Sequence, residues 1–246
     1  MNTPDPKDKQ INKPFINALC TLVIVLSLGG LGYCALPYVG QHQNEAADAS
    51  QAEISIDFEA LKAQNADTVG WLKIDGTTID YPVVQAADNE KYLSTTFEGQ
   101  ENPLWGAIFL DCAYDPDHNP KPQNSVLYGH SNLGKPSPFG DLFNYKDQAF
   151  YEDHKTITYS RPEDQDAQFE IFSVFLTESD RDYRRPDFAD SADYLNYFSR
   201  IQAISLYPTQ VTLNSESEML TLSTCDFEVD GISDPRLVVV AQRVTP

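Results

Sequence analysis

Thr221-Leu222-Ser223-Thr224-Cys225 and, eleven residues on, Arg236-Leu237-Val238-Val239-Val240 are the stretches on which the rest of the chain turns. The first is a β-prone run that ends in a thiol. The second is an apolar run opened by a guanidinium. Gly231 and Pro235 lie between them, so the two runs are expected as neighbouring antiparallel strands joined by a loop. That arrangement puts Cys225 and Arg236 at the same end of one sheet. Val126-Leu127-Tyr128-Gly129-His130 is a third run of the same kind, a strand that ends in an imidazole.

Working outward, β-prone runs at 68–74 and 77–84 flank Asp75-Gly76, a hairpin signal. Further strands are expected at 107–110, 125–128, 156–159, 168–176, 219–223 and 236–244. So many short strands between turn residues predict a mostly β fold, a closed or nearly closed β-barrel. Two helices interrupt it. Ile54, Phe58 and Leu61 form one apolar face of a short N-terminal helix. Tyr194, Phe198 and Ile201 form another within 191–204, capped by Asp190 or Ser191, in a long connection between strands. Residues 54–246 thus form a single domain.

Upstream, no Asp, Glu, Lys or Arg occurs from Pro14 to Asn44, and 15–39 is rich in Leu, Val and Ile. A bilayer span needs roughly 20 apolar residues. Lysines precede this run and acidic residues follow it. The expectation is a retained single-pass anchor at 15–39, with 1–14 cytoplasmic, 40–53 an extracellular linker and the domain outside the cell. A cleaved signal peptide is the rival reading. No second apolar run follows the last strand before Pro246.

The 246 residues carry a net charge of −20. Three lysines against two aspartates precede residue 41, so the remainder carries −21. Such a surface repels phosphate backbones, which argues against nucleic-acid partners. It keeps the protein soluble, or it steers an amine-bearing substrate. Cys20, Cys34, Cys112 and Cys225 are too few and too scattered for a disulfide framework.

A thiol near pKa 8.5 is only a few per cent thiolate at neutral pH, and a neighbouring cation raises that fraction. Histidine can protonate a leaving amine and deprotonate an incoming one. Arginine stays charged and can donate hydrogen bonds to an oxyanion. Cys225, His130 and Arg236 together suffice for acyl transfer through a thioester. Taken singly, a strand-end Cys reads equally as a small buried hydrophobe and an edge Arg as a solvated surface group.

The combination resembles one family. Thr-Leu-Ser-Thr-Cys followed by an Arg that opens a hydrophobic strand is similar to the sortase signature, and Tyr-Gly-His is similar to that family's histidine motif. Ser223, the helix-bearing connection at 177–210, the helical N-terminal extension, Val69-Gly-Trp-Leu-Lys-Ile74, Ile79-Asp-Tyr-Pro-Val-Val84 and Phe139-Gly-Asp-Leu142 resemble class B members in particular. The likeness covers 54–244. It implies a sortase-type barrel with the active site at one end. Such enzymes cut an Asn-Pro-x-Thr-x or Leu-Pro-x-Thr-Gly sorting signal of a secreted surface protein or pilin after its Thr. They pass the acyl group to an amine of a cell-wall precursor or pilin. Cys225 would attack, His130 would shuttle protons and Arg236 would steady the oxyanion. The family's substrate groove maps onto Ser223, Thr224, Asn89 and Leu93. Asn89 reads equally as a local turn residue. Asp226 follows the nucleophile where the family often has an acidic residue, and it reads otherwise as a solvated loop carboxylate.

His118 and His154 sit in polar contexts and read as surface residues. No His, Cys or acidic spacing suits zinc or calcium, so no metal and no cofactor is expected. Two other readings remain open: an extracellular cysteine peptidase or hydrolase using water as acceptor, and an anchored, non-catalytic binding module with a structural Cys225.

Overall fold

The computed structural model describes residues 55–115, 122–132, 136–179, 181–226 and 233–244. The expected anchor at 15–39 and linker at 40–53 lie outside these residues, as do Ile54 and His118. Among the described residues no helix is long and apolar enough to cross a membrane.

Eight strands appear among the described residues: β1 Thr68–Lys73, β2 Asp80–Val84, β3 Ile108–Leu110, β4 Asn124–Tyr128, β5 Thr156–Arg161, β6 Asp164–Glu178, β7 Met219–Cys225 and β8 Pro235–Arg243. They close into a barrel in the order β1-β2-β3-β4-β7-β8-β6-β5, with β5 pairing back to β1. β2 with β3 and β4 with β7 are parallel, and the other pairs are antiparallel. The helices are α1 Phe58–Gln64, α2 Lys91–Ser94, α3 Gln148–Asp153 and α4 Ser191–Ala203, with a 3-10 turn at Gly140–Lys146.

Local chemistry accounts for the element ends. Asp57, Asp147 and Asp190 accept backbone N–H groups at the starts of α1, α3 and α4. The hairpin expected around Asp75-Gly76 forms, but β2 starts only at Asp80. Thr78 is diverted: its N–H and hydroxyl both donate to Asp141, at 2.7 and 2.8 Å. β6 runs well beyond the expected 168–176, because its polar first residues pair with β5 as an exposed hairpin rather than facing a core. β7 extends through Cys225, two residues past its apolar run.

Strand alternation divides the packing. Leu220, Leu222, Leu237, Val239 and Ala241 fill the barrel. Met219, Val238 and Val240 face outward beneath α4, where Tyr194, Tyr197, Phe198 and Ile201 cover them. With both faces buried, β8 reads as an unbroken apolar run from Leu237 to Ala241, while β7 sets Thr221, Ser223 and Thr224 among its buried apolar residues. The parallel β4–β7 seam carries a polar pin: the buried Thr221 hydroxyl donates to Asn124 Oδ1 at 2.8 Å.

Candidate active site

In the β7–β8 ladder Cys225 stands directly opposite Arg236, and Ser223 opposite Val238. Directly paired residues share a face, so thiol and guanidinium emerge together on the outer face at one end of the barrel. The parallel seam brings the imidazole to the same end. Tyr128 pairs with Ser223, and the chain continues to Gly129 and His130 alongside Thr224 and Cys225. Two side chains extend the pairing past the strand ends. Thr224 Oγ1 donates to the Gly129 carbonyl at 2.7 Å, and Ser131 Oγ donates to the Cys225 carbonyl at 2.5 Å.

The Tyr-Gly-His turn is set by packing. A Cβ on Gly129 would lie 2.9 Å from the Phe139 ring, and the Phe139 N–H donates to the His130 carbonyl at 2.9 Å. Phe139 therefore needs a glycine opposite it. On its other side the imidazole meets a second glycine. His130 Nε2 lies 2.7 Å from the Leu93 carbonyl oxygen. A carbonyl only accepts, so Nε2 carries the hydrogen and Nδ1 is the ring nitrogen left for proton exchange. Gly106, at φ +59°, closes this pocket: a Cβ there would stand 2.4 Å from the Tyr92 carbonyl and 3.1 Å from both His130 Cδ2 and Leu93 O.

Burial pushes the Cys225 thiol above its ordinary pKa, and the Arg236 charge pulls against that shift without cancelling it. Both Cys225 and Cys112 are free thiols, so the two form no disulfide.

The other expected site residues are placed as follows. Ser223 is buried, with its hydroxyl 3.0 Å from the Tyr183 hydroxyl. Leu93 leaves 44% of its surface exposed beside His130. The Asn89 amide is engaged locally, donating to Asp111 at 3.2 Å and accepting from the Cys112 N–H at 2.8 Å. Thr224 is buried and turned inward onto Gly129. Asp226 is no solvated loop carboxylate: it is fully buried and ion-paired with Lys146 at 2.6 Å. A buried carboxylate needs such a cation, and the 3-10 turn supplies it. His154 is half-buried rather than on the surface, with its ring stacked on Phe150.

Several contacts of the site carry no signal in the sequence, even where, as for Tyr128, the residue lies in a quoted motif. Tyr128 donates to the buried Asp111 at 2.6 Å, and burial with this hydrogen bond holds its phenol far above the usual range. Tyr183 reaches Ser223 from the long connection, while α4 of the same connection packs on the barrel. That segment therefore contributes to both packing and site. Asp234, just ahead of β8, binds Arg236. Nothing in composition or spacing separates Asp111, Tyr183 and Asp234 from surface polar groups.

The sortase domain family model matches residues 72–244. Sortase B of Staphylococcus aureus is 34% identical over 196 residues, covering 79% of this chain and 77% of its own. Sortase B of Listeria monocytogenes is 31% identical over 248 residues, covering 95% and 98%. Among solved structures, the Staphylococcus aureus sortase B–substrate complex aligns with a TM-score of 0.68 at 33% identity, covering 76% of this chain and 84% of that one. A sortase B complexed with triglycine aligns with a TM-score of 0.69 at 33% identity, covering 76% and 85%. With the thiol, imidazole and guanidinium converging at one end of the same barrel, the chain belongs to the sortase family and, within it, to the class B cysteine transpeptidases.

Proposed function

We propose that this enzyme cuts an Asn-Pro-x-Thr-x or Leu-Pro-x-Thr-Gly sorting signal of a secreted surface protein after its Thr and joins the Thr carboxyl to an amine of a cell-wall precursor. The observation that carries the reading is the register: Cys225 opposite Arg236, with His130 delivered alongside by the parallel strand. Cys225 gives its proton to His130, and the thiolate adds to the Thr carbonyl carbon. The C–S bond forms, and the carbonyl π pair moves to oxygen, where Arg236 donates hydrogen bonds. Collapse breaks the C–N bond as the imidazolium protonates the leaving amine. The acceptor amine then attacks the thioester, loses a proton to His130, and expels the thiolate.

Leu93, exposed beside His130, meets the signal, Ser223 and Asn89 shape its approach from within through their bonds to Tyr183 and Asp111, and Thr224 and Asp226 hold the nucleophile from behind. The substrate complex and the triglycine complex of related sortases support a peptide donor and a glycine amine acceptor. A pilin is the alternative acceptor and donor class. Residues 15–39 anchor the enzyme in the cell membrane with its N-terminus cytoplasmic, on the evidence of their apolar run and flanking charges.

The test is to incubate the full chain in detergent with a panel of both motif types, with and without triglycine, and to weigh the intact protein. The expected result is an acyl adduct on Cys225 that triglycine resolves to ligated product. An adduct resolved only by water would replace transpeptidation with hydrolysis. No adduct from any peptide, with Cys225 inert to iodoacetamide, would end the catalytic reading.

A further inference from the structure

We propose that Asp234 is a positioning residue that presents one two-donor edge of the Arg236 guanidinium to the oxyanion. The proposal rests on the role given to Arg236 above.

A guanidinium has five N–H groups in a rigid plane. Asp234 Oδ1 lies 2.5 Å from Nη1 and Oδ2 lies 2.9 Å from Nη2, so the carboxylate covers the end of the fork. Nη1 also donates to the Pro235 carbonyl at 3.2 Å. Among the described residues, three of its N–H groups are thereby used. The two left, Nε–H and the second N–H of Nη2, lie on one edge and point the same way. That edge is what Arg236 can offer to an oxygen next to Cys225, its cross-strand neighbour.

The Asp234 backbone is itself fixed. The Ser179 N–H donates to the Asp234 carbonyl at 3.1 Å. Pro235 follows, with its carbonyl taken by the Asp226 N–H at 2.9 Å and its strand position paired with Glu178. Asp234 adopts φ +48°, one of two non-glycine residues in the left-handed region among those described. Its side chain is 53% exposed. Exposed ion pairs contribute little to stability, so a strained backbone that holds one in place points to orientation rather than to folding.

Asp234 also bears on the thiol. Among the described residues, the titratable groups around Cys225 are Arg236 in β8, Asp234 just ahead of it, Tyr183 from the long connection, His130 beyond β4, and Asp226 with Lys146. Of these, Arg236 favours the thiolate and Asp234 opposes it.

The experiment compares the full-length enzyme with Asp234→Asn and Asp234→Glu, using a responsive sorting peptide and triglycine. It measures kcat, KM and the pH dependence of Cys225 alkylation by iodoacetamide. Asp234→Asn should lower kcat on the order of tenfold to hundredfold while KM stays within about twofold. Its alkylation midpoint should move to lower pH, because a negative charge has left, and Asp234→Glu should regain part of kcat. Unchanged kcat, or a loss accompanied by an unmoved alkylation midpoint and no recovery in Asp234→Glu, would overturn the proposal and leave the transpeptidase reading intact. Absence of any acyl adduct in the unsubstituted enzyme would overturn both.

Discussion

The Cys225 thiol is caught between two opposing influences, burial and the Arg236 charge, and burial wins. The free enzyme at neutral pH therefore holds mostly thiol, and alkylation should rise with pH to a midpoint above that of an ordinary cysteine. Arg236→Gln should move that midpoint higher still, since the charge that favours the thiolate is gone; an unmoved midpoint would show that the guanidinium does not act on the sulfur. Gly106 offers a second check. Gly106→Ala should cost about 1–3 kcal/mol through its left-handed backbone. It should also depress turnover beyond what that loss explains, by displacing the His130 ring or its Leu93 acceptor. Turnover that simply tracks the folded fraction would disprove the second effect. The thiol, imidazole and guanidinium were visible in the sequence as members of family motifs at strand ends, not from their residue types alone. The Leu93 carbonyl was not, since a backbone oxygen has no residue signature. Asn89 and Asp226 were legible as positions only: what they bond to lies 22 and 80 residues away along the chain.

Among the elements, α4 shows how the long connection serves the site. Phe198 touches the rings of Phe172, Phe188, Tyr194 and Tyr197 and is almost fully buried. Phe198→Ala should destabilise the protein by about 3–5 kcal/mol in chemical denaturation. Loss of well under 1 kcal/mol would mean that α4 is loosely attached. The helix itself was predicted within one residue, because its i, i+4, i+7 aromatics and Asp190 cap are local signals. The start of β6 was missed for the opposite reason. Asp164, Gln165 and Asp166 are strand residues only because β5 lies beside them, with Arg161 opposite Asp164. Strand preference there is a property of the pair rather than of the run.

At the scale of the molecule, all eight strands that close the barrel lie between Thr68 and Arg243. A fragment of 55–246 should therefore unfold in one cooperative transition and retain transpeptidation of soluble peptides, with circular dichroism and product mass as the readouts. A fragment that stays unfolded would place part of the fold upstream. Closure was foreseeable from the number of short strands, but the order was not. Parallel pairing between β4 and β7 joins Asn124 to Met219 across a stretch that holds the 3-10 turn, α3, β5, β6 and α4. Such distant pairing is slow to form. It also sets a schedule. In a chain synthesised from its N-terminus, the imidazole emerges first, the thiol long after, and the guanidinium on the eighth strand last. Until that strand docks, the nucleophile lacks its cation and the imidazole lacks its neighbour. The enzyme is thus latent while it is being made, and its reactivity begins only when the barrel is whole.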